Sequence, residues 1–237
     1  TSQPSGLLMQ SRTWETRTSA DLYRRIGDAV LTIDFAPGDE FASSANAYAR
    51  SFSAGSDYTL PGVAFKFNGY AFKEWTGTWA RNGSSAESYW YEHTDADGQH
   101  RVDIPWNQVS RNGRVTFPDG AKLSAATVLA LFPERAGDGT GVKLDHARLT
   151  AVWDKVTYSV TCYWNDGTDR TSSFNYQISD ADLPVPAISR QGYAFAGWTG
   201  GAVQRDDGTW AIAAGTFGNM ALQALWTPEA YDILYVP

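Results

Sequence analysis

The chain has almost no sulfur, with one cysteine, Cys162, and two methionines in 237 residues. A lone thiol makes no intramolecular disulfide and supplies no cysteine-based zinc site, so two common ways of stapling a small domain are excluded. Cys162 lies in the alternating apolar stretch YSVTCYW (158–164), where a free thiol packs as a small hydrophobe. Basic residues are also scarce: 19 Lys and Arg stand against 26 Asp and Glu, for a formal charge of −7. Nucleic acids and anionic membranes are held by basic surface, so neither is an expected partner. No apolar run approaches the roughly 18 residues of a bilayer span, and no membrane insertion is expected.

Chemistry-bearing motifs are equally thin. The three histidines, His93, His100 and His146, stand at no motif spacing from Ser, Cys or carboxylate. Carboxylates are plentiful but scattered, and no glycosidase-like pair can be picked out. DADG (95–98) lacks the rest of a calcium loop and reads as a hairpin turn. GDGTG (137–141) has no Lys after it and reads as a turn, not a phosphate loop. The expectation is a protein that is not an enzyme, with no cofactor and no metal site.

Glycine (22), tryptophan (10) and tyrosine (12) are abundant, a composition that favours short strands and tight turns over long helices. GYAFKEWTG (69–77) returns as GYAFAGWTG (192–200), identical at seven of nine positions and 123 residues further on. The match extends back without a gap to LPGVAFKFN (60–68) and LPVPAISRQ (183–191). Upstream, VLTIDFAPGD (30–39) faces YSVTCYWNDG (158–167), each an alternating run closed by a Gly/Asp turn. SSFNYQIS (172–179) alternates as a strand does. Its counterpart SSANAYARSF (43–52) suits an Ala-rich helix or a strand with Tyr48 and Phe52 on one face, and the repeat favours the strand.

Each copy then closes on a run ending in Trp, LTAVW (149–153) and LQALW (222–226). From the phrase's Trp to the closing Trp is 78 residues in the first copy and 28 in the second, so the first carries about fifty extra residues. Within them ATVLALFPE (126–134) also resembles a closing strand. Spacing to the next unit favours 149–153, and both assignments stay open at this level. Residues 1–29 read as a linker or the end of a preceding module, with TSADLYRRIGDAV (18–30) able to form a turn or two of helix behind Thr18 or Ser19. Residues 30–156 read as module 1 with an insertion at about 78–141, 157–229 as module 2, and 230–237 as a linker or the start of another module. With no Met at its start and the opening TSQPSG, the chain reads as a piece of a longer protein. The junctions 154–157 and 227–230 lack Gly/Ser runs, so limited bending is expected.

The order strand, Gly turn, Leu-Pro, Gly-Tyr-x-Phe-x-x-Trp and a strand ending Ala-x-Trp resembles the internalin B-repeat, or Listeria–Bacteroides repeat, family. The residues that carry the resemblance are Leu60, Pro61, Gly69, Tyr70, Phe72, Trp75, Ala151 and Trp153, then Leu183, Pro184, Gly192, Tyr193, Phe195, Gly197, Trp198, Ala224 and Trp226. Copy one departs from it with Glu74 in place of Gly and with its insertion. The resemblance implies tandem small β-grasp-like modules, mainly β with little helix (α+β). It implies an extracellular, cell-surface or wall-attached protein of a Gram-positive bacterium, acting as stalk, spacer or adhesin, with no catalytic residues. The alternative is a carbohydrate-binding accessory region of a large secreted glycosidase. Physics agrees with a structural role for the phrase: its glycine supplies a backbone that a Cβ disfavours, and its aromatics supply large buried area to a small unit.

The insertion is where binding is expected, since it holds Trp79, the run SYWYEH (88–93) and Trp106. Aromatic rings in a protruding segment serve as platforms for sugars or pack an extra hairpin onto a sheet. Along a strand, Trp90 points opposite to Tyr89 and Tyr91, so one face should be partly exposed. Trp79, Trp90, Tyr91 and Trp106 are therefore the candidate contact residues, with Glu92, Arg101 and Gln108 as hydrogen-bonding neighbours. Host or cell-wall glycan or a surface protein is the expected partner of a monomeric chain.

Overall fold

The computed structural model describes residues 30–134 and 144–231, and these are mainly β: sixteen strands with one short α-helix and two 3-10 turns. The candidate helix of 18–30 (apart from Val30) and the turn 137–141 lie outside the described residues. Of the described residues, 30–62 and those within 75–150 form one compact unit, and 63–74 with 151–231 form the other. That division differs from the sequence boundary at 156/157. Within the second unit, Trp153 holds Phe67 and Phe72 edge-on, with centroids at 5.0 and 5.6 Å, and Val156 N–H donates to the Gly69 carbonyl at 2.9 Å.

The first main sheet contains β1 (Val30–Ala36), β2 (Tyr48–Ser53), β4 (Tyr70–Thr78), β7 (Arg114–Phe117) and β9 (His146–Lys155), in the order β2-β1-β9-β4-β7. Alternation in VLTIDFA buries Leu31, Ile33 and Phe35. In 43–52 the strand begins only at Tyr48, after a 3-10 turn at Asp39–Phe41. Tyr48 stacks on Phe35 at 5.2 Å, and Phe52 stacks on Tyr58 at 4.1 Å. The strand that closes this sheet is β9, parallel to β1 with Leu149 opposite Phe35. Residues 127–132 are not a strand: they fall largely in the helix α1 (Ala125–Ala130), capped by Ser124, whose side chain accepts from Thr127 N–H.

A second sheet, wholly within the first unit, contains β3 (Tyr58–Thr59), β5 (Tyr89–Asp95), β6 (Gly98–Ile104) and β8 (Lys122–Leu123), ordered β3-β8-β5-β6. DADG forms the β5–β6 hairpin turn, Asp95 pairing with Gly98 and accepting the Asp97 N–H at 2.9 Å.

The second unit holds β10 (Tyr158–Tyr163), β11 (Thr171–Tyr176), β13 (Tyr193–Thr199) and β16 (Met220–Pro228), ordered β11-β10-β16-β13. A smaller sheet is formed by β12 (Leu183–Pro184), β14 (Val203–Gln204) and β15 (Trp210–Ile212). Its core gathers Val160, Cys162, Tyr176, Trp198, Ile212, Leu222 and Ala224. Cys162 is fully buried, and that burial pushes its thiol pKa up.

The two main sheets share one strand order, β2-β1-β9-β4 matching β11-β10-β16-β13. Each has an antiparallel first pair and a parallel central pair. The ladders also correct the alignment. Phe35 lies opposite Leu149 and Cys162 opposite Leu222, so Leu31, not Val30, is the counterpart of Tyr158. Facing the two runs end to end would match buried Ile33 with Thr161; the side-chain period of two permits no one-residue slip.

Candidate functional site

Local pattern explains where the recurring phrase puts its residues. Trp75 and Trp198 are 0% and 3% exposed. Phe72 meets Trp153 edge-on at 5.6 Å and 83°, and Phe195 meets Trp226 at 5.4 Å and 68°. Tyr70 and Tyr193 are half-buried. Gly69 and Gly192 have φ of 79° and 76°, the left-handed region that a side chain disfavours.

The four aromatics of the insertion do not come together as a platform. Trp79 is 2% exposed, its ring edge-on to Phe117 at 6.4 Å, because its backbone is tied to Asn112 and Gly113 and carries the ring under the sheet. It is core, which corrects the expectation of a ring offered to a ligand. Tyr91 points to the core side of β5 and meets Phe117 edge-on at 5.6 Å. Trp90 points the other way, as alternation requires, with the Arg101 guanidinium 4.4 Å and the Lys122 ammonium 5.5 Å from its ring. Trp106 is 52% exposed on the 3-10 turn Trp106–Gln108. Glu92 and Arg101 are direct cross-strand partners, whereas Gln108 sits on the turn with Trp106.

Sequence reasoning missed what holds β5. Ser124 and Thr127 are buried polar residues, and together they clamp the Trp90 backbone. Trp90 N–H donates to Thr127 Oγ1 at 2.8 Å, while Thr127 Oγ1 and Ser124 N–H both donate to the Trp90 carbonyl, at 3.0 Å each. The signal was present as a Ser-x-x-Thr cap before an apolar run.

Beyond the short β8, a cleft of about 300 Å³ opens between the end of β5 and the Asp119–Gly120 turn. Glu92, His93, Thr94, Gln99, Asp119 and Lys122 line it. Lys122 Nζ lies 3.4 Å from Asp57 and 3.9 Å from Glu92, and Gln99 donates to Glu92 at 3.4 Å. The Lys122 ammonium is thus matched by carboxylates on both sides. His93 and His100 share Asp95 at 3.5 and 2.9 Å. The N–H of Asp97 is the largest influence on that carboxyl and holds it below the usual range; desolvation opposes it, and the His100 hydrogen bond is a lesser aid to the lowering. Among the described residues no group of three His, Cys, Asp or Glu is arranged to hold a metal ion, and no helix is long and apolar enough to cross a membrane.

No known family model matches the chain, and no curated protein matches it.

Proposed function

We propose that the chain is a non-catalytic stalk, spacer or adhesion segment of an extracellular bacterial surface protein, built from two repeats of the internalin B-repeat type, each a small β-grasp-like module. One observation carries the reading: the same strand order and the same Phe–Trp arrangement recur in the two main sheets. Repeated units with one shared core solution are how extended, modular proteins are built. The test is antibody labelling of intact source cells, with protease shaving. Loss of the labelled band after shaving supports a surface segment, and detection only after lysis removes it.

The second reading is a carbohydrate-binding accessory region. The observation that favours it is the outer face of β5 and β6, where Trp90 lies beside Glu92, Arg101, Lys122 and the polar cleft. A glycan array probed with wild type and Trp90→Ala tests it. Binding that the substitution abolishes supports this reading, and no binding by the wild type ends it.

A further inference from the structure

Asparagine is followed by glycine at three places, Asn68–Gly69, Asn82–Gly83 and Asn112–Gly113. Such a pair is chemically reactive, because glycine has no Cβ to shield its amide nitrogen from the preceding carboxamide. The fold sets the three apart. Gly83 N–H donates to the Val109 carbonyl, and Asn82 Oδ1 accepts the Arg111 N–H at 2.9 Å, so both reacting groups are engaged. Gly113 N–H donates to the Ser110 carbonyl at 2.7 Å, and Asn112 N–H donates to the Trp79 carbonyl at 2.8 Å. At both places the nucleophile is tethered.

Asn68–Gly69 differs. Tyr70 N–H donates to the Phe67 carbonyl at 3.2 Å and closes a turn in which Gly69 has φ 79°, as a type II turn requires at its third position. That bond leaves the central peptide group, from Asn68 to Gly69, outside it. Among the described residues neither the Gly69 N–H nor the Asn68 side chain has a hydrogen-bond partner, and Asn68 is exposed.

We propose that Asn68 is a site of spontaneous covalent modification, converted to aspartate and isoaspartate through a cyclic imide. Gly69 N attacks Asn68 Cγ: the N–Cγ bond forms, the Cγ–Nδ2 bond breaks, and the amide proton leaves with that nitrogen as ammonia. Water then opens the ring. Attack at Cγ gives aspartate, and attack at the main-chain carbonyl gives isoaspartate, which routes the backbone through the side-chain carbons. Either product adds a negative charge. Isoaspartate also lengthens the chain inside the turn that presents the Gly69 carbonyl to the Val156 N–H. The conversion therefore loosens the hold of segment 63–74 on the chain after Ala151 within the second unit, slowly and in one direction. The inference stands whether or not the chain is a surface spacer.

The test incubates the full chain in mildly alkaline buffer made with heavy-oxygen water and maps its peptides by mass spectrometry. The Asn68 peptide should split into two isomers, each carrying one solvent oxygen. Asn82 and Asn112 should convert about tenfold more slowly, since their amides must first open. In urea the three rates should converge. Hydrogen exchange at the Val156 amide should be faster in the isoaspartate form, and Asn68→Gln should keep both the site and this exchange unchanged through the incubation. Conversion of Asn82 or Asn112 as fast as Asn68 in the folded chain overturns the proposal. So does an Asn68 that converts only in urea, or a rank order that urea leaves intact. Unaltered Val156 exchange in the modified chain overturns the loosening.

Discussion

Gly69 and Gly192 share one backbone conformation, φ 79° and 76°, and one hydrogen bond, each carbonyl accepting a backbone N–H: from Val156 at 2.9 Å and from Glu229 at 3.0 Å. Their surroundings differ. A Cβ on Gly69 would lie 2.7 Å from Ile178 Cβ, whereas one on Gly192 meets nothing within 4 Å. Alanine at either position carries left-handed strain of about 1 kcal/mol. Gly69→Ala must also displace Ile178, adding about 1–3 kcal/mol of overpacking. Urea denaturation of the two variants should place Gly69→Ala clearly below Gly192→Ala. Equal losses would contradict the close seat of Ile178.

Trp79→Ala and Trp90→Ala separate core from surface within the insertion. Trp79 is sealed under the sheet beside Phe117, so its removal should cost about 3–5 kcal/mol. Trp90 loses an outer-face contact with Arg101 and Lys122, a cation–π effect of about 0.5–1 kcal/mol at an exposed site, plus part of its burial. Melting curves that ranked Trp90→Ala as the more damaging would reverse this assignment.

Much of this was legible because it rests on alternation and repetition. Leu31, Ile33 and Phe35 follow from period two, and the phrase announces two equivalent aromatic plugs at Trp75 and Trp198. The opposite directions of Trp90 and Tyr91 follow from the same rule. Exposure was not legible for Trp79, since burial there depends on Asn112 and Gly113, more than thirty residues away in the chain. The helix at Ala125–Ala130 escaped for a related reason. Its apolar run also fits a closing strand, and what decides is the Ser124 cap together with the Trp90 backbone, a partner 34 residues earlier. The cleft depends on where β8 ends, which no local pattern encodes.

Thr127 is the residue on which the position of β5 depends most directly. Thr127→Val keeps the shape but removes the hydroxyl that takes the Trp90 N–H and donates to its carbonyl. Loss of these buried bonds should cost about 1–3 kcal/mol. Thr127→Ser, which retains the oxygen, should recover most of it. Hydrogen exchange at the Trp90 amide is the specific readout, faster in the valine variant and near wild type in the serine variant. Unchanged exchange in Thr127→Val would show that the clamp is not what holds the strand.

Acid should destabilise the chain through its turn carboxylates. Asp207 is held below the ordinary range chiefly by the Thr209 hydroxyl and then by the Thr209 N–H, and Asp166 chiefly by the Thr168 hydroxyl. The Asp97 N–H does the same for Asp95, and the Ala214 N–H for Asp182, followed there by Arg205. Each carboxyl gives up its proton at lower pH in the folded chain than in the unfolded one. The stability they contribute is therefore fully present above the unfolded value of about 4, and it is lost as pH falls through the lower folded values. Denaturant midpoints should stay level, as far as these groups are concerned, between about pH 7 and 5 and fall below about pH 4. Asp207→Asn and Asp95→Asn should each flatten part of that fall and lower stability at neutral pH. A midpoint that rose on acidification below about pH 4 would mean that these turns do not hold their carboxylates in the charged form.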